Sequence, residues 1–112
     1  MDISKRDWQL FRAKLPEWQE RYMDALNQSY IELLSRPGKA SEKFWALEER
    51  IKRDKRHSGV MAAVSRSNMM HILLELRMDG AITDGEMSEF SQEVQDVIDH
   101  FCKEYGHNHD CR

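Results

Sequence analysis

Residues 77–87, RMDGAITDGEM, contain the turn that decides how the second half of this sequence folds. Gly80 follows the apolar run HILLELRM and is a typical residue at which a helix ends. Thr83 can cap a second helix, and Glu86, three residues further on, completes a capping box. Ile82 precedes that cap and can take part in a hydrophobic staple. The stretch therefore predicts a helical hairpin in which both helix ends are capped.

The same stretch is similar to the second half of a calcium-binding loop, with Asp79, Gly80 and Glu86 at the fifth, sixth and twelfth positions. The first position then falls on Glu75 and the third on Arg77. Arg77 is a cation where calcium requires an oxygen ligand, and both positions lie inside a good helical run. The pattern favours the capped hairpin over a calcium site.

Apolar residues recur at steps of three and four along almost the whole chain, which is the period of an amphipathic helix. The pattern predicts an all-α fold, a small bundle of about five helices with short loops. The predicted helices cover residues 4–15, 16–35, 41–55, 60–78 and 84–105. They form a single helical domain over residues 1–105, and residues 106–112 are expected to be a frayed tail.

The boundaries of these helices rest on capping residues and on the two prolines. Ser4 and Ser41 are the expected N-caps of the first and third helices. Pro16 is expected to end the first helix and to begin the second, because proline suits a first helical turn. The apolar residues expected to face the core are Trp8, Phe11, Leu15, Trp18, Tyr22, Leu26, Tyr30, Leu33, Phe44, Leu47, Ile51, Val64, Met69, Ile72, Leu73, Leu76, Met87, Phe90, Val94, Val97, Phe101 and Tyr105.

The composition of the 112 residues, with 40% apolar and 33% charged side chains, is typical of a globular protein. No apolar run approaches the ~20 residues that span a bilayer, and the charged N-terminus lacks the apolar part of a secretory signal. Two cysteines near the C-terminus do not make a disulfide framework. We therefore expect a cytoplasmic protein with no membrane partner.

The C-terminal residues His107, His109 and Cys111 supply soft ligands that zinc could use. The sequence has no CxxC pair, however, and these residues follow Gly106, where the last helix should end. A metal site is not favoured, and no cofactor is expected.

Residues 50–57, RIKRDKRH, form the most basic segment of a chain whose net charge is −3. These cations could contact nucleic-acid phosphates or an acidic protein surface, or they could form a solvated helix end that the helix dipole favours. Nucleic acid remains the alternative partner and is not favoured, because the chain as a whole is not basic. The candidate residues for that alternative are Arg50, Lys52, Arg53, Lys55 and Arg56.

The sequence contains no recognisable catalytic triad, metal-protease motif or phosphate-binding loop, which predicts a protein without enzymatic activity. The fourth predicted helix is apolar around most of its circumference, so it is either central in the bundle or shared with a partner. We therefore predict a protein–protein interaction module that binds another protein or forms a homodimer. The candidate partner-binding residues are Met69, Met70, Leu73, Leu74 and Met78.

The stretches FWALEERIKRDKRHSGVM (44–61) and LRMDGAITDGEMSEFSQE (76–93) resemble small uncharacterised helical proteins of Gram-positive gut bacteria that are associated with mobile elements. The resemblance covers about residues 41–95 and contains no motif that is diagnostic of an activity. It implies an accessory or inhibitor protein of a mobile element that acts by binding a larger complex.

Overall fold

A computed structural model describes residues 2–105 of the protein. These residues form five helices and no strand: α1 (Lys5–Ser35), α2 (Ala40–Asp54), α3 (Met69–Met78), α4 (Asp84–Met87) and α5 (Gln92–Tyr105). The prediction of a small all-α bundle of about five helices is confirmed. Three of the predicted boundaries are wrong, and each has a physical cause.

The first two predicted helices are a single helix, α1, with Pro16 inside it. Ser4 caps this helix as expected, since its hydroxyl accepts a hydrogen bond from the backbone N–H of Asp7 at 3.1 Å. A proline within a helix removes one backbone hydrogen bond and costs about 3 kcal/mol. Phe11, Leu15 and Trp18 lie on one face on both sides of the proline, and all three are buried. Burial of this uninterrupted stripe offsets the cost and keeps α1 continuous.

Residues 60–68, which were predicted to be helical, form turns and irregular backbone before α3 begins at Met69. Polar side chains take up the local backbone groups in this segment. Asn68 donates from its side-chain amide to the carbonyl of Ala63 at 2.8 Å, and its backbone N–H donates to the hydroxyl of Ser65 at 3.2 Å. Such local bonds compete with helical ones, so the apolar residues here do not extend α3.

The turn between α3 and α4 has the capped form that the sequence predicts. Gly80 has a φ of 82°, and the N–H groups of Gly80 and Ala81 donate to the carbonyls of Arg77 and Leu76, the pattern of a Schellman motif. Thr83 and Glu86 form the expected capping box at the start of α4. These local contacts form the turn, and Arg21 of α1 adds a hydrogen bond to the carbonyl of Ala81 at 2.8 Å.

The fifth predicted helix is divided into α4 and α5 at residues 88–91. Ser91 stands at the start of α5, where its backbone N–H and hydroxyl both donate to the buried carboxylate of Asp7. Because the helix is divided, the buried residues of α5 are Val94, Ile98 and Cys102. Tyr105, which the continuous stripe placed in the core, is 59% exposed.

The molecule consists of a globular body and a projecting pair of helices. Phe11, Leu15 and Trp18 of α1 form the core of the body together with buried residues of α3, α4 and α5. The second half of α1 and α2 extend from that body, and the molecule measures 52 × 26 × 20 Å. Its radius of gyration of 16.1 Å exceeds the ~13 Å of a compact chain of this length. We call this projecting pair, with the C-cap Lys55 of α2, the arm, residues 23–55.

Candidate functional site

Helix α2 turns a polar face toward α1. The guanidinium of Arg50 donates to the hydroxyl of Ser29 at 2.8 Å and lies over the ring of Tyr30, 5.3 Å from its centroid. The hydroxyl of Tyr30 in turn donates to the carboxylate of Asp54 at 2.6 Å. Burial and this hydrogen bond raise the pKa of Tyr30 to about 12, so the hydroxyl remains a donor at neutral pH. Hydrogen bonds and a cation–π contact thus join the two helices of the arm.

The apolar stripe of α2 lies beside the contact with α1 and is largely exposed, contrary to the expectation that it would be buried. Phe44 is 60% exposed and Ile51 is 39% exposed, and Leu47 between them is only half-buried. Trp45, beside Phe44, is 59% exposed. None of the α2 residues, all of which the structure describes, is fully buried. Ser41 also fails to act as the N-cap, a position that Lys39 takes without a side-chain hydrogen bond.

The outward stripe lines a surface cavity of about 440 Å³. We call this surface the arm face, and it consists of Phe44, Leu47, Glu48, Ile51, Lys52 and Lys55. A second cavity of about 250 Å³ lies between α1 and α2 and shares Ile51 and Lys55 with the arm face. Its walls add apolar side chains of α1, which are those of Met23, Leu26 and Tyr30. The exposed apolar surface of the arm is therefore continuous from α2 to α1.

A tightly packed turn, residues 57–59, fixes the arm to the body. The ring of His57 stacks on Tyr22 with centroids 4.0 Å apart, and its Nε2 lies 2.6 Å from the carboxylate of Asp79. Nδ1 of His57 accepts the backbone N–H of Gly59 at 2.8 Å, so the proton donated to Asp79 is on Nε2. A Cβ atom on Gly59 would overlap the Tyr22 ring.

Ser58, at the centre of this turn, bonds to both α1 and α3. Its backbone N–H donates to the carboxylate of Glu75 at 2.7 Å, and its carbonyl accepts from the side-chain amide of Gln19 at 3.0 Å. The small residues Ser58 and Gly59 were the one signal of close packing, and both are buried.

The five candidate partner-binding residues do not form one surface. Met69 and Leu73 are fully buried in the body, so they belong to the core and not to a partner-binding surface. Met70, Leu74 and Met78 are half-buried on the other side of α3. They line two shallow cavities of about 230 Å³ each. The helix is apolar on several sides because one side faces the core and another lines these cavities.

The five cations of the basic segment also divide into two groups. Arg50 is turned toward α1 and is engaged there by Ser29 and Tyr30. The remaining four are exposed, and these are Lys52, Arg53, Lys55 and Arg56.

The tail residues proposed as metal ligands, His107, His109 and Cys111, lie outside the described residues. Within residues 2–105, no group of three or more His, Cys, Asp or Glu side chains is placed to hold a metal ion. Cys102 is buried and disulfide-bonded, and it is therefore not a thiolate ligand. A disulfide persists more readily in an oxidising compartment than in the cytoplasm, so the cytoplasmic location stays a prediction.

Comparison with known proteins assigns no relative: the chain matches no protein-family model, no curated protein and no solved structure. No helix in the described part of the chain has the length and apolar character needed to cross a membrane.

Proposed function

We propose that this protein is a non-enzymatic protein–protein interaction module that binds its partner through the arm face. The observation that carries the proposal is the outward orientation of the apolar stripe of α2, with Phe44 and Ile51 exposed. A partner that covers exposed apolar surface stabilises the complex by about 25 cal/mol for each Å² removed from water. Aromatic residues are also enriched at the centres of protein interfaces. Phe44 of the arm face packs edge to face on the neighbouring Trp45, with the ring centroids 4.9 Å apart.

The fixed position of the arm supports the proposal further. The bonds of His57 and Ser58 to α1 and α3 hold the end of α2 against the body. A surface that is already ordered loses little conformational entropy when a partner binds. The arm therefore presents its apolar residues in a binding-ready arrangement.

The resemblance of residues 41–95 to proteins of mobile elements extends the proposal to a biological setting. That region contains all but the first residue of α2, and hence the whole arm face. We propose an accessory or inhibitor protein that acts in the cytoplasm by occupying a surface of a larger complex or of another copy of itself.

Site-specific photo-crosslinking tests the proposed surface. A photoreactive phenylalanine analogue in place of Phe44 is expected to give one discrete adduct in the cells that produce the protein. The same analogue in place of Met61 is the matched control, because Met61 is 64% exposed and lies outside the arm. Equal or absent labelling at the two positions would overturn the arm face as the binding surface.

A second candidate function, binding of nucleic acid, is supported by the four exposed cations at the end of α2. Lys52, Arg53, Lys55 and Arg56 could contact phosphates, and the affinity would then fall steeply as salt is raised. An electrophoretic mobility assay with duplex DNA and RNA at low salt tests this candidate. Absence of a shift would remove it, and a shift abolished by Arg53→Glu and Arg56→Glu would support it.

A further inference from the structure

We propose that the arm face binds the arm face of a second copy of this chain, with the two α2 helices antiparallel about a twofold axis. This inference rests on the proposed function, since it names the partner of the same surface. The evidence is the spacing, the charge order and the orientation of the exposed α2 residues.

The spacing of the outward residues is that of a helix-pairing seam. Phe44, Leu47 and Ile51 follow one another at steps of three and four, the apolar repeat of a coiled coil. Phe44 and Ile51 are exposed, Leu47 is half-buried, and the exposed Glu48 and Lys55 flank them on the arm face. Two helices that share such a repeat can pack along it over the ~22 Å length of α2.

The charges along α2 are ordered so that an antiparallel copy complements them. The exposed acidic residues Glu42, Glu48 and Glu49 lie in its first ten residues, whereas the exposed cations Lys52 and Arg53 follow. Lys43 and Arg50, which would interrupt this order, are turned toward α1, where they donate to Leu34 and Ser29. A parallel pair would place like charges side by side, and an antiparallel pair places acidic beside basic.

The antiparallel register can be read from the seam. A twofold axis between Glu48 and Ile51 places Glu48 beside Lys52 and Lys55 of the partner subunit. Phe44 then lies along the aliphatic part of the partner's Lys55, and Trp45 lies near the partner's Lys52, where a cation–π contact can form. Because the arm projects from the body, the two bodies lie at opposite ends of the pair and leave the helices free to meet.

The other apolar surface of the molecule lacks this self-complementarity. The cavity lined by Met70, Leu74 and Phe101 adjoins α5, whose exposed face is acidic. Glu93 lies one helical turn from Val97 of that cavity and Asp96 precedes Val97, so two copies that met there would bring these carboxylates of both chains together. Like charges at an interface oppose association, so the charge pattern selects the arm face.

A charge-reversal mixing experiment tests the proposal. In Glu48→Lys, the contacts of residue 48 with Lys52 and Lys55 of the partner subunit become four symmetry-related repulsions. In Lys52→Glu, the two symmetry-related contacts with the partner's Glu48 become repulsions. Light scattering across a dilution series should show a wild-type dimer and a dissociation constant raised roughly tenfold in each single variant. An equimolar mixture of the two variants should dimerise more tightly than either variant alone, because three of the four charge pairs between unlike chains are then attractive.

The mixture also separates this pairing from an effect within one helix. Glu48 and Lys52 are four residues apart on α2, so each substitution also removes an attraction within its own chain. Mixing does not restore that attraction, and recovery on mixing therefore supports pairing between chains. Circular dichroism of each variant checks that α2 remains folded.

Three results would overturn the inference: a wild-type monomer at every concentration, a dimer that neither substitution weakens, or a mixture that does not recover. The crosslinking experiment distinguishes failure of this inference from failure of the proposed function. A crosslinked adduct at Phe44 that contains a different protein would support the arm face and exclude the second copy as its partner. Absence of any adduct would remove both.

Discussion

The carboxylate of Asp7 accepts two hydrogen bonds from Ser91, one from the backbone N–H at 2.9 Å and one from the hydroxyl at 2.7 Å. Asp7 is buried in the first turn of α1, and Ser91 stands at the start of α5. The pair joins the first turn of α1 to the start of α5 and holds α5 in the position where Val94 and Ile98 reach the core.

Removal of this carboxylate should destabilise the protein. We expect Asp7→Ala to lower the free energy of unfolding by about 2–3 kcal/mol, because hydrogen bonds to a charged group are lost and Ser91 is left without its acceptor. Urea denaturation measures the change, and Asp2→Ala, at an exposed carboxylate, is the control. Equal stability of the two variants would contradict the assigned role of Asp7.

The Asp7 contribution should also depend on pH. Burial raises the pKa of Asp7, but the hydrogen bonds from Ser91 outweigh burial and leave the pKa below its usual 3.8. The stabilisation is therefore complete above the pKa of the unfolded carboxyl and is lost as pH falls through the lower folded value. The difference in stability between wild type and Asp7→Asn should shrink on acidification below about pH 4.

Glu86 should stabilise the junction of α1 with α4 over a wider range of pH than Asp7 stabilises its contact with Ser91. Burial raises its pKa, yet hydrogen bonds from Arg21 and the Thr83 backbone lower it to about 2. Arg21 also donates to the Ala81 carbonyl at 2.8 Å. We expect Glu86→Gln to cost about 2–3 kcal/mol at neutral pH and progressively less between pH 4.5 and pH 2. Chemical denaturation at several pH values tests this, and a pH-independent difference would contradict it.

Gly59 should be intolerant of a methyl group. A Cβ atom there would meet the Tyr22 ring, so Gly59→Ala must displace either the ring or the turn that fixes the arm. We expect a loss of about 1–3 kcal/mol and faster hydrogen exchange at residues 57–59. Gly85→Ala is the matched control, because its Cβ would lie 4.0 Å from the nearest side-chain atom, the Thr83 hydroxyl oxygen, and alanine favours the helical backbone. Equal changes in unfolding free energy and in hydrogen exchange for Gly59→Ala and Gly85→Ala would contradict a tightly packed turn.

The sequence predicts those parts of the fold that neighbouring residues determine. Gly80, Thr83 and Glu86 act within a few residues of one another, and the turn that they form is as expected. The pair of Asp7 and Ser91 spans 84 positions and has no local signal, so the division of the last predicted helix was missed.

The candidate site was missed for a different reason. Periodicity identifies Phe44, Leu47 and Ile51 as sharing one face of a helix, but it does not say which face meets the neighbouring helix. Here Tyr30 and Ser29 offer α1 hydrogen-bonding groups that engage the polar face of α2, so the apolar face turns outward. Only tertiary contacts could reveal this orientation.

The most direct test of the arm face is the molar mass of a variant that carries both Phe44→Ser and Ile51→Ser. Because both side chains are exposed, the double variant should unfold within about 1 kcal/mol of the wild type. Val64→Ser with Met61→Ser is the control, at two exposed apolar residues outside the arm.

We expect light scattering to give the wild type and the control twice the 13.3 kDa mass of one chain, and the Phe44→Ser, Ile51→Ser variant the mass of a single chain. A variant that dimerises as the wild type does, or a wild type that is monomeric throughout, would contradict the pairing of arm faces.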